Sequence, residues 1–328
     1  MQDMQKQTAQ QCLVSATESG QKLFSYLKRR LGREFPGSGL MRLIRTGQVR
    51  VNSKRKKPYD RVYAGDTVRI PPHFPETGDD PQRAGELQIV FENPDFTVLD
   101  KPAGVPVHSG TSARRDNMVL RLRKHYAGAD FSPALVHRLD KETSGLLLAA
   151  KNYAWLRRIQ AMWKKNLVEK TYLAWVHGSW PSRWVNLEHR LIKTFEKMQP
   201  SPEGRPALSR VRSIASSRDK TLVQIRIITG RTHQIRTQLS LSGHPVIGDG
   251  KYGKDSGYAE MYLHAYMLAW PGHVFCLPPG WTGDFTTPGD LEKRSGNLNL
   301  GEGEGLAVKK TPVIIPGLDS QGEYTFRA

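Results

Sequence analysis

A nine-residue stretch in the middle of the chain, His137–Gly145, places a carboxylate between cations. Asp140 is flanked by Arg138 and Lys141, and the stretch leads into the apolar run Leu146–Leu148. Neighbouring positive charge favours the ionised form of a carboxylate, and a buried strand holds the loop before it in place. Asp140 is therefore a candidate catalytic carboxylate, although a solvated, salt-bridged turn has the same composition.

Two other segments hold polar groups next to predicted regular structure. Residues 230–236 (GRTHQIR) place Arg231, His233 and Arg236 at the start of a predicted helix, directly after a strand. Tyr172 stands among the alternating apolar positions of a predicted strand. Each segment also has an ordinary structural interpretation: a helix with surface arginines in the first case, a packed tyrosine in the second.

The sequence carries no motif for a metal or a cofactor. It has no GxxxxGK[ST] phosphate loop, no HExxH and no CxxC, and the glycine-rich run at Gly301 has no strand before it. The ten histidines are scattered, and the only thiols are those of Cys12 and Cys276. We therefore expect no metal and no cofactor, and the low cysteine content is typical of a cytoplasmic protein.

The charge balance favours a polyanionic partner. The 328 residues carry a formal charge of +18, of which residues 20–70 account for +11. No apolar run approaches the roughly 20 residues of a membrane span, so we expect no membrane role. The basic residues that we expect to contact a nucleic acid are Lys28, Arg29, Arg42, Arg45, Arg50, Lys54, Arg55, Lys56 and Lys57.

The hydrophobic periodicity predicts an α+β fold. From about Leu87, short apolar strands and amphipathic helices follow one another without a regular βαβ repeat. The more basic region before them predicts two short helices and a small β element. The expected organisation is a flexible N-terminus (1–18), a small basic domain (19–72), a Pro/Gly-rich linker (73–86), a main domain (87–285) and a loosely ordered tail (286–328).

Five motifs in a fixed order resemble those of the RluA family of pseudouridine synthases. They are HRLDKETSGLLLAAK (137–151), FTVLDKPAGVPVHSG (96–110), EKTYLAWVHG (169–178), GRTHQIRTQLSLSGHPVIGDGKYG (230–253) and YLHAYMLAW (262–270). The resemblance implies a mixed, mainly antiparallel sheet with flanking helices and a central cleft. Residues 189–220 and the segment after about 286 depart from the family pattern.

The resemblance also implies a reaction. Family members exchange the bond between ribose C1′ and uracil N1 for one to C5, which requires no cofactor. Asp140 matches the essential aspartate, and Arg236 matches its ion-pair partner, with Arg231 as the second choice. Tyr172 matches the tyrosine that stacks on the base and assists proton removal. Whether Asp140 attacks C1′, attacks the ring or starts an elimination stays open here. The positions expected to bind substrate are His137, Arg138, Lys141, Arg231 and Lys101.

The small basic domain resembles the RNA-binding domain of the ribosomal protein S-four type. Residues 47–72 are most similar to the RluC type, which acts on large-subunit ribosomal RNA, so the expected partner is structured RNA and the expected state a monomer. The alternatives are a non-catalytic RNA-binding factor for ribosome assembly and the same chemistry on transfer RNA. The intact set of Asp140, Tyr172 and Arg236 favours an enzyme.

Overall fold

Two separate β-sheets organise the computed structural model, which describes residues 9–31, 35–71, 84–108, 116–195, 197–253 and 257–291. Most of the predicted linker (73–83), most of the predicted tail (292–328) and residues 1–8 of the predicted N-terminus lie outside the described residues. Within the described ranges, no helix has both the length and the apolar character that crossing a membrane requires.

The small domain packs two short helices on a three-stranded sheet. Its elements are β1 (Gln10–Leu13), α1 (Leu23–Leu31), α2 (Gly37–Arg45), β2 (Arg50–Val51) and β3 (Thr67–Ile70), with the strand order β1-β3-β2. The apolar stripes of both helices, including Leu23, Leu27 and Leu40, are fully buried against the sheet. Their basic faces therefore remain on the outside.

The prediction that the N-terminus (1–18) is flexible was wrong for the later part of this segment. Gln10–Leu13 is a strand that pairs antiparallel with β3. After it, Glu18 is buried and forms an ion pair with Arg30 at 3.0 Å. The sequence QQCL has no clear alternation because β1 is an edge strand, with its side chains largely exposed, so its pairing depends on β3 rather than on a local signal.

In its described residues, the main domain has one large sheet and three α-helices. Eleven described strands belong to it: β4 (Ile89–Glu92), β5 (Phe96–Lys101), β6 (Ala134–Leu135), β7 (Ser144–Ala150), β8 (Glu169–His177), β9 (Val185–Thr194), β10 (Lys197–Pro200), β11 (Arg205–Ser217), β12 (Lys220–Ile227), β13 (Leu263–Trp270) and β14 (His273–Cys276). The helices are α3 (Met118–His125), α4 (Tyr153–Lys164) and α5 (Gln234–Leu241). The strand order is β10-β9-β11-β12-β8-β13-β7-β5-β4, with β14 paired to β13 and β6 to β7. The predicted α+β class with a mixed, mainly antiparallel sheet is confirmed.

The two faces of this sheet are covered by different elements. Tyr172, Ala174 and Val176 of β8 point to the face that packs against α3 and α5. The alternate residues of β8, such as Leu173 and Trp175, point to the opposite face. We call these the front face and the back face; α4 packs on the back face of the sheet.

The ends of the main domain extend beyond the predicted boundaries. The last residues of the predicted linker are packed, because Lys124 donates to the Ala84 carbonyl at 2.7 Å and Asp116 accepts from the Gly85 amide at 3.2 Å. At the other end, Leu291 of the predicted tail is buried on the back face beside Trp175. Both segments thus belong to the packed structure as far as it is described.

A parallel contact between β7 and β13 is the one exception to antiparallel pairing among the described strands of this sheet. Gly145 faces Ala265 there with φ +106°, and a Cβ atom at Gly145 would collide with the Ala265 carbonyl oxygen. Beside it, Ser144 Oγ lies 2.8 Å from His264 Nδ1, and His264 Nε2 donates to the Leu277 carbonyl. Burial lowers the pKa of His264 to about 4, so the ring is neutral and accepts from Ser144.

The contact at Gly145 leads to a prediction about stability. Replacing Gly145 by Ala combines a strained φ with a clash against backbone, so we expect a loss of about 2 kcal/mol or more in the free energy of unfolding. Gly128→Ala is the matched control, because Gly128 also has a positive φ (+85°) but nothing within 4 Å of a new Cβ. Urea denaturation of both variants measures the difference. Equal losses would show that the approach of β13 is not the constraint.

Candidate active site

The loop between β6 and β7 opens on the front face into a cavity of about 300 Å³. Asp140 lies on this loop with its side chain 17% exposed, and its backbone carbonyl accepts from the Thr143 amide at 3.2 Å. It is the one carboxylate among the described residues that line the cavity. Tyr172, Ile227 and Leu263 supply apolar surface to the same cavity. The site therefore presents a single acid beside a mostly apolar wall.

Arg236 on α5 connects Asp140 to a second carboxylate below it. Its Nη1 lies 3.3 Å from Asp140 Oδ2, while its Nε and Nη2 donate to the two oxygens of Asp249, both at 2.7 Å. Burial by itself would raise the pKa of Asp249, but the hydrogen bonds from Arg236 outweigh burial and lower it. Two nitrogens of the guanidinium are thus fixed by Asp249, and the third nitrogen, Nη1, is directed at Asp140.

Asp249 was not among the residues that the sequence singled out. It lies in the GDGKYG stretch of a motif that was recognised, and its side chain is completely buried. The amides of Lys251 and Tyr252 also donate to it, at 2.9 and 3.1 Å. The available signal was an acidic residue between two glycines in a motif that also supplies Arg236, but nothing in the spacing shows which arginine it holds.

Tyr172 lies in the cavity wall on β8. It is 8% exposed, and burial followed by the charge of Asp140 raises the pKa of its phenol. The phenol is therefore neutral at any physiological pH. A neutral aromatic ring in this position can pack against a planar base, and it is a poor proton acceptor.

His233 is a further residue of the site that the predicted site set did not include. It stands before α5 in a left-handed conformation (φ +50°), with Nε2 3.9 Å from Asp140 Oδ2. Its Nδ1 lies 2.8 Å from the Tyr252 hydroxyl, which accepts from the Met198 amide of β10. Burial is the main cause that lowers the pKa of His233, partly offset by Asp140. The strain at this residue is held by contacts on both sides.

His137 faces the cavity but is engaged by the protein. Its Nε2 accepts from the Leu148 amide at 3.1 Å, and its ring stacks on Trp163 with the centroids 5.0 Å apart. Burial, with a smaller contribution from Lys170, lowers the pKa of His137 to about 3. The ring is therefore neutral and fixes the Asp140 loop to β7, which is a different use from the expected binding of substrate.

Lys101 was expected to contact substrate, and this expectation was wrong. Its side chain is fully buried, and Nζ donates to the carbonyls of Pro102, Val105 and Lys141 at 2.7–2.9 Å. Burial lowers the pKa of Lys101 to about 8. All three of its donors are used within the protein, so the ammonium joins two loops and has none left for a phosphate.

The other three predicted substrate residues are distributed around the opening. Arg138 is exposed and lines the cavity. Arg231 also lines it, but its Nε is held by the Pro206 carbonyl at 2.8 Å. Lys141 is 60% exposed, forms an ion pair with Glu142 at 3.2 Å, and does not line the cavity. Of these, Arg138 has the position for contact with a ligand that enters.

On the small domain, most of the predicted RNA contacts are exposed. Asn52 and Ser53, both left-handed, form the turn after β2, and its exposed continuation carries four basic residues. Those exposed in the described residues are Lys28, Arg42, Arg45, Arg50, Lys54, Arg55, Lys56 and Lys57.

Arg29 is the exception in this set, because its side chain contacts the main domain instead of being available for RNA. Its guanidinium lies over the ring of Phe131 in the main domain, 4.6 Å from the centroid, and its Nε donates to Gln21. Burial lowers the pKa of Arg29. Its side chain therefore belongs to the contact between the two domains.

No group of three or more histidine, cysteine, aspartate or glutamate residues is arranged to hold a metal ion in the described part of the chain. The site as it stands offers one exposed edge of a carboxylate, a guanidinium behind it and an aromatic wall. This arrangement suits attack or proton transfer by Asp140 on a flat heterocycle bound in the cavity.

The buried ion pair leads to a second prediction. Asp249→Asn leaves the Arg236 guanidinium buried without its partner charge, so we expect it to cost about 3 kcal/mol in the free energy of unfolding. Asp140→Asn removes the more distant charge and leaves Arg236 paired with Asp249, so it should cost less, about 1 kcal/mol. Urea denaturation of both variants tests this order, and the reverse order would mean that Asp140 is the structural partner.

Comparison with known proteins identifies a family that matches this geometry. Residues 95–241 match the RNA pseudouridylate synthase family. Proteins named ribosomal large subunit pseudouridine synthase C from Vibrio vulnificus and Escherichia coli are 37% and 34% identical to this chain. The matches cover 75% of this chain and 84% of the Vibrio protein, and 78% and 86% for the Escherichia coli protein.

A solved structure shows the same fold. Human RNA pseudouridylate synthase domain containing 1 superposes with a TM-score of 0.52 at 27% identity, covering 61% of this chain and 86% of that one. The family match includes the Asp140 loop, β8 with Tyr172, and Arg236 on α5. Relatives of 34–37% identity and the match to the family model show that the chain belongs to the RNA pseudouridylate synthase family and is an isomerase of the RluA/RluC type that acts on RNA.

Proposed function

We propose that the protein converts specific uridines of large-subunit ribosomal RNA to pseudouridine, with Asp140 as the catalytic carboxylate. The observation that carries the assignment of Asp140 is its position as the one acid among the described residues lining the cavity. The substrate assignment is supported by the relatives named for the large ribosomal subunit.

The reaction is an exchange within one nucleotide. The bond from C1′ to N1 breaks, a bond from C1′ to C5 forms, C5 loses a proton and N1 gains one, so no other reactant is consumed. Asp140 provides the negative oxygen that begins this exchange, and Arg236 keeps it in position through the contact at 3.3 Å. Fixing a reactive group before the substrate arrives avoids reorganisation during the reaction.

The depth of the site determines how the uridine must bind. The side chain of Asp140 is mostly buried, so a base inside a helix cannot reach it and the target nucleotide must be flipped out. In this proposal the uracil packs on the Tyr172 ring, between Ile227 and Leu263. Because its phenol stays neutral, we assign Tyr172 to stacking rather than to removal of the C5 proton. The exposed Arg138 fills the place that the nucleotide leaves.

The small domain provides affinity for structured RNA in this proposal. Its exposed cations lie on both helices and on the turn after β2, and phosphate contacts of this kind orient RNA without reading its sequence. A monomer is the oligomeric state that we expect for the working enzyme. A cytoplasmic location follows from the proposed substrate, since bacterial ribosomal RNA lies there.

The catalytic assignment is tested by mapping pseudouridine in cells that lack the protein. Complementation with the wild type should restore specific large-subunit sites, whereas Asp140→Asn should leave them unmodified because turnover falls about 10³-fold or more. Glu142→Gln, which removes a carboxylate from the same loop outside the cavity, is the matched control and should restore them.

Each of three other outcomes of this experiment would contradict one part of the proposal. Restoration by Asp140→Asn would refute the catalytic role. Losses confined to transfer RNA would move the substrate while keeping the chemistry. An unchanged map in the deletion strain would favour a binding factor without catalysis.

The role of the small domain is tested by salt dependence. Lys56→Gln combined with Lys57→Gln should weaken binding to a large-subunit RNA transcript. The slope of log Kd against log salt should fall by about 0.7–0.9 for each phosphate that the protein no longer neutralises. The double replacement of Arg157 and Arg158 by Gln, two exposed cations on α4, is the control for net charge. Equal slopes for the two double variants would exclude the small domain as the electrostatic anchor.

A further inference from the structure

The back face of the main sheet carries a cluster of three arginines around one tryptophan. The guanidinium carbons of Arg210, Arg212 and Arg226 lie 5.5, 4.7 and 5.1 Å from the ring centroid of Trp184. Arg210 is exposed, and the other three side chains are partly exposed. We call these four residues the Trp184 cluster. None of them lines the catalytic cavity or belongs to the five family motifs.

Strand register places this cluster on the face opposite to the cavity. Arg210 of β11 pairs with Arg226 of β12, so the two side chains leave the sheet on the same side. Their neighbours Val211 and Ile225 are buried in the front-face core. The alternation of side chains along a strand therefore sends the arginines to the back.

The cluster nevertheless lies close to the opening of the cavity along the chain. Arg226 pairs with Thr171, the residue before Tyr172, and Ile227 lines the cavity. The next residue, Ile228, is 49% exposed and pairs back to Leu208. The end of β12 thus borders the cavity on the front face and the Trp184 cluster on the back face. An RNA strand that leaves the cavity can therefore bend around this end of β12.

The arginines repel one another and are nevertheless held together. Arg212 donates from Nε to Gln224 at 2.8 Å, which fixes one of them. Burial and then the charge of Arg226 lower the pKa of Arg212. Stacking on the indole aligns the guanidinium groups. An anion bound between them relieves this repulsion, and the planar fork of arginine matches the oxygens of a phosphate.

We propose that the Trp184 cluster binds the phosphate backbone of the RNA segment that flanks the target uridine. This inference rests on the proposed function, since it takes RNA as the molecule in the cavity. Arg210 and Arg226 contact the phosphates, and Trp184 is a positioning residue that aligns them. The RNA substrate would then need an unpaired segment next to the target uridine that is free to bend around the end of β12.

The inference is tested by binding alone, with full-length Asp140→Asn protein so that no reaction occurs. The probe is a fluorescein-labelled oligouridine of about 16 nucleotides with one 4-thiouridine for photocrosslinking. Arg210→Gln should weaken binding and reduce the slope of log Kd against log salt by about 0.7. Arg157→Gln is the matched control for the loss of one exposed arginine. Mass spectrometry should find crosslinks in the peptides that carry Trp184 and Arg226.

Three further measurements decide the roles. Arg210→Lys should keep most of the salt slope while weakening binding, because it retains the charge without the fork. Trp184→Leu should weaken binding several-fold with the arginines present, and far-UV circular dichroism checks that it folds. Inorganic polyphosphate should compete with the oligouridine.

The inference is overturned if Arg210→Gln and Arg157→Gln behave alike, if no crosslink reaches the cluster, or if Trp184→Leu folds and binds like the parent. Since none of these readouts requires turnover, they are independent of the mapping experiment on Asp140.

Discussion

The site depends on one guanidinium that is held by two carboxylates of unequal burial. Asp249 is completely buried and accepts two hydrogen bonds from Arg236, while Asp140 is less buried and lies next to the third nitrogen, Nη1. A buried charge needs a partner, so Asp249 meets the structural requirement of Arg236. Asp140 is not needed as the partner of Arg236, so a change in the charge of Asp140 does not leave Arg236 unpaired. The division separates the charge that stabilises the fold from the charge available for chemistry.

The rest of the domain supports this arrangement through buried polar contacts on each side of the Asp140 loop. Lys101 fastens the loop to the segment after β5, and His137 fastens it to β7. On the opposite wall, His233 is held in a strained conformation by its contact with Tyr252, which in turn holds β10. These groups connect the walls of the cavity to the sheet. Among the described basic residues that line the cavity, Arg138 is the exposed one.

Much of the fold was predictable because its central strands and its helices have strong local patterns. Local patterns in the sequence predict a buried strand over 145–150 and a helix over 154–165, and the structure has them at Ser144–Ala150 and Tyr153–Lys164. No strands were predicted for residues 185–217, because β9–β11 mix exposed polar with buried residues and one strand contains a bulge. Asp140, Tyr172 and Arg236 were found by motif and line the cavity. The burial of Lys101 and the pairing of Arg236 with Asp249 depend on contacts between distant segments.

The parallel contact between β7 and β13 bears on how the enzyme matures. The strand that follows the Asp140 loop is completed by Leu263–Trp270, about 120 residues later, through Gly145 and the Ser144–His264 contact. Pairing between such distant segments forms late in folding, because a long loop must close first. During synthesis, the carboxylate therefore emerges from the ribosome well before the strand that positions it. A nascent chain would then carry the small domain with its exposed basic residues while the cavity around Asp140 is still incomplete.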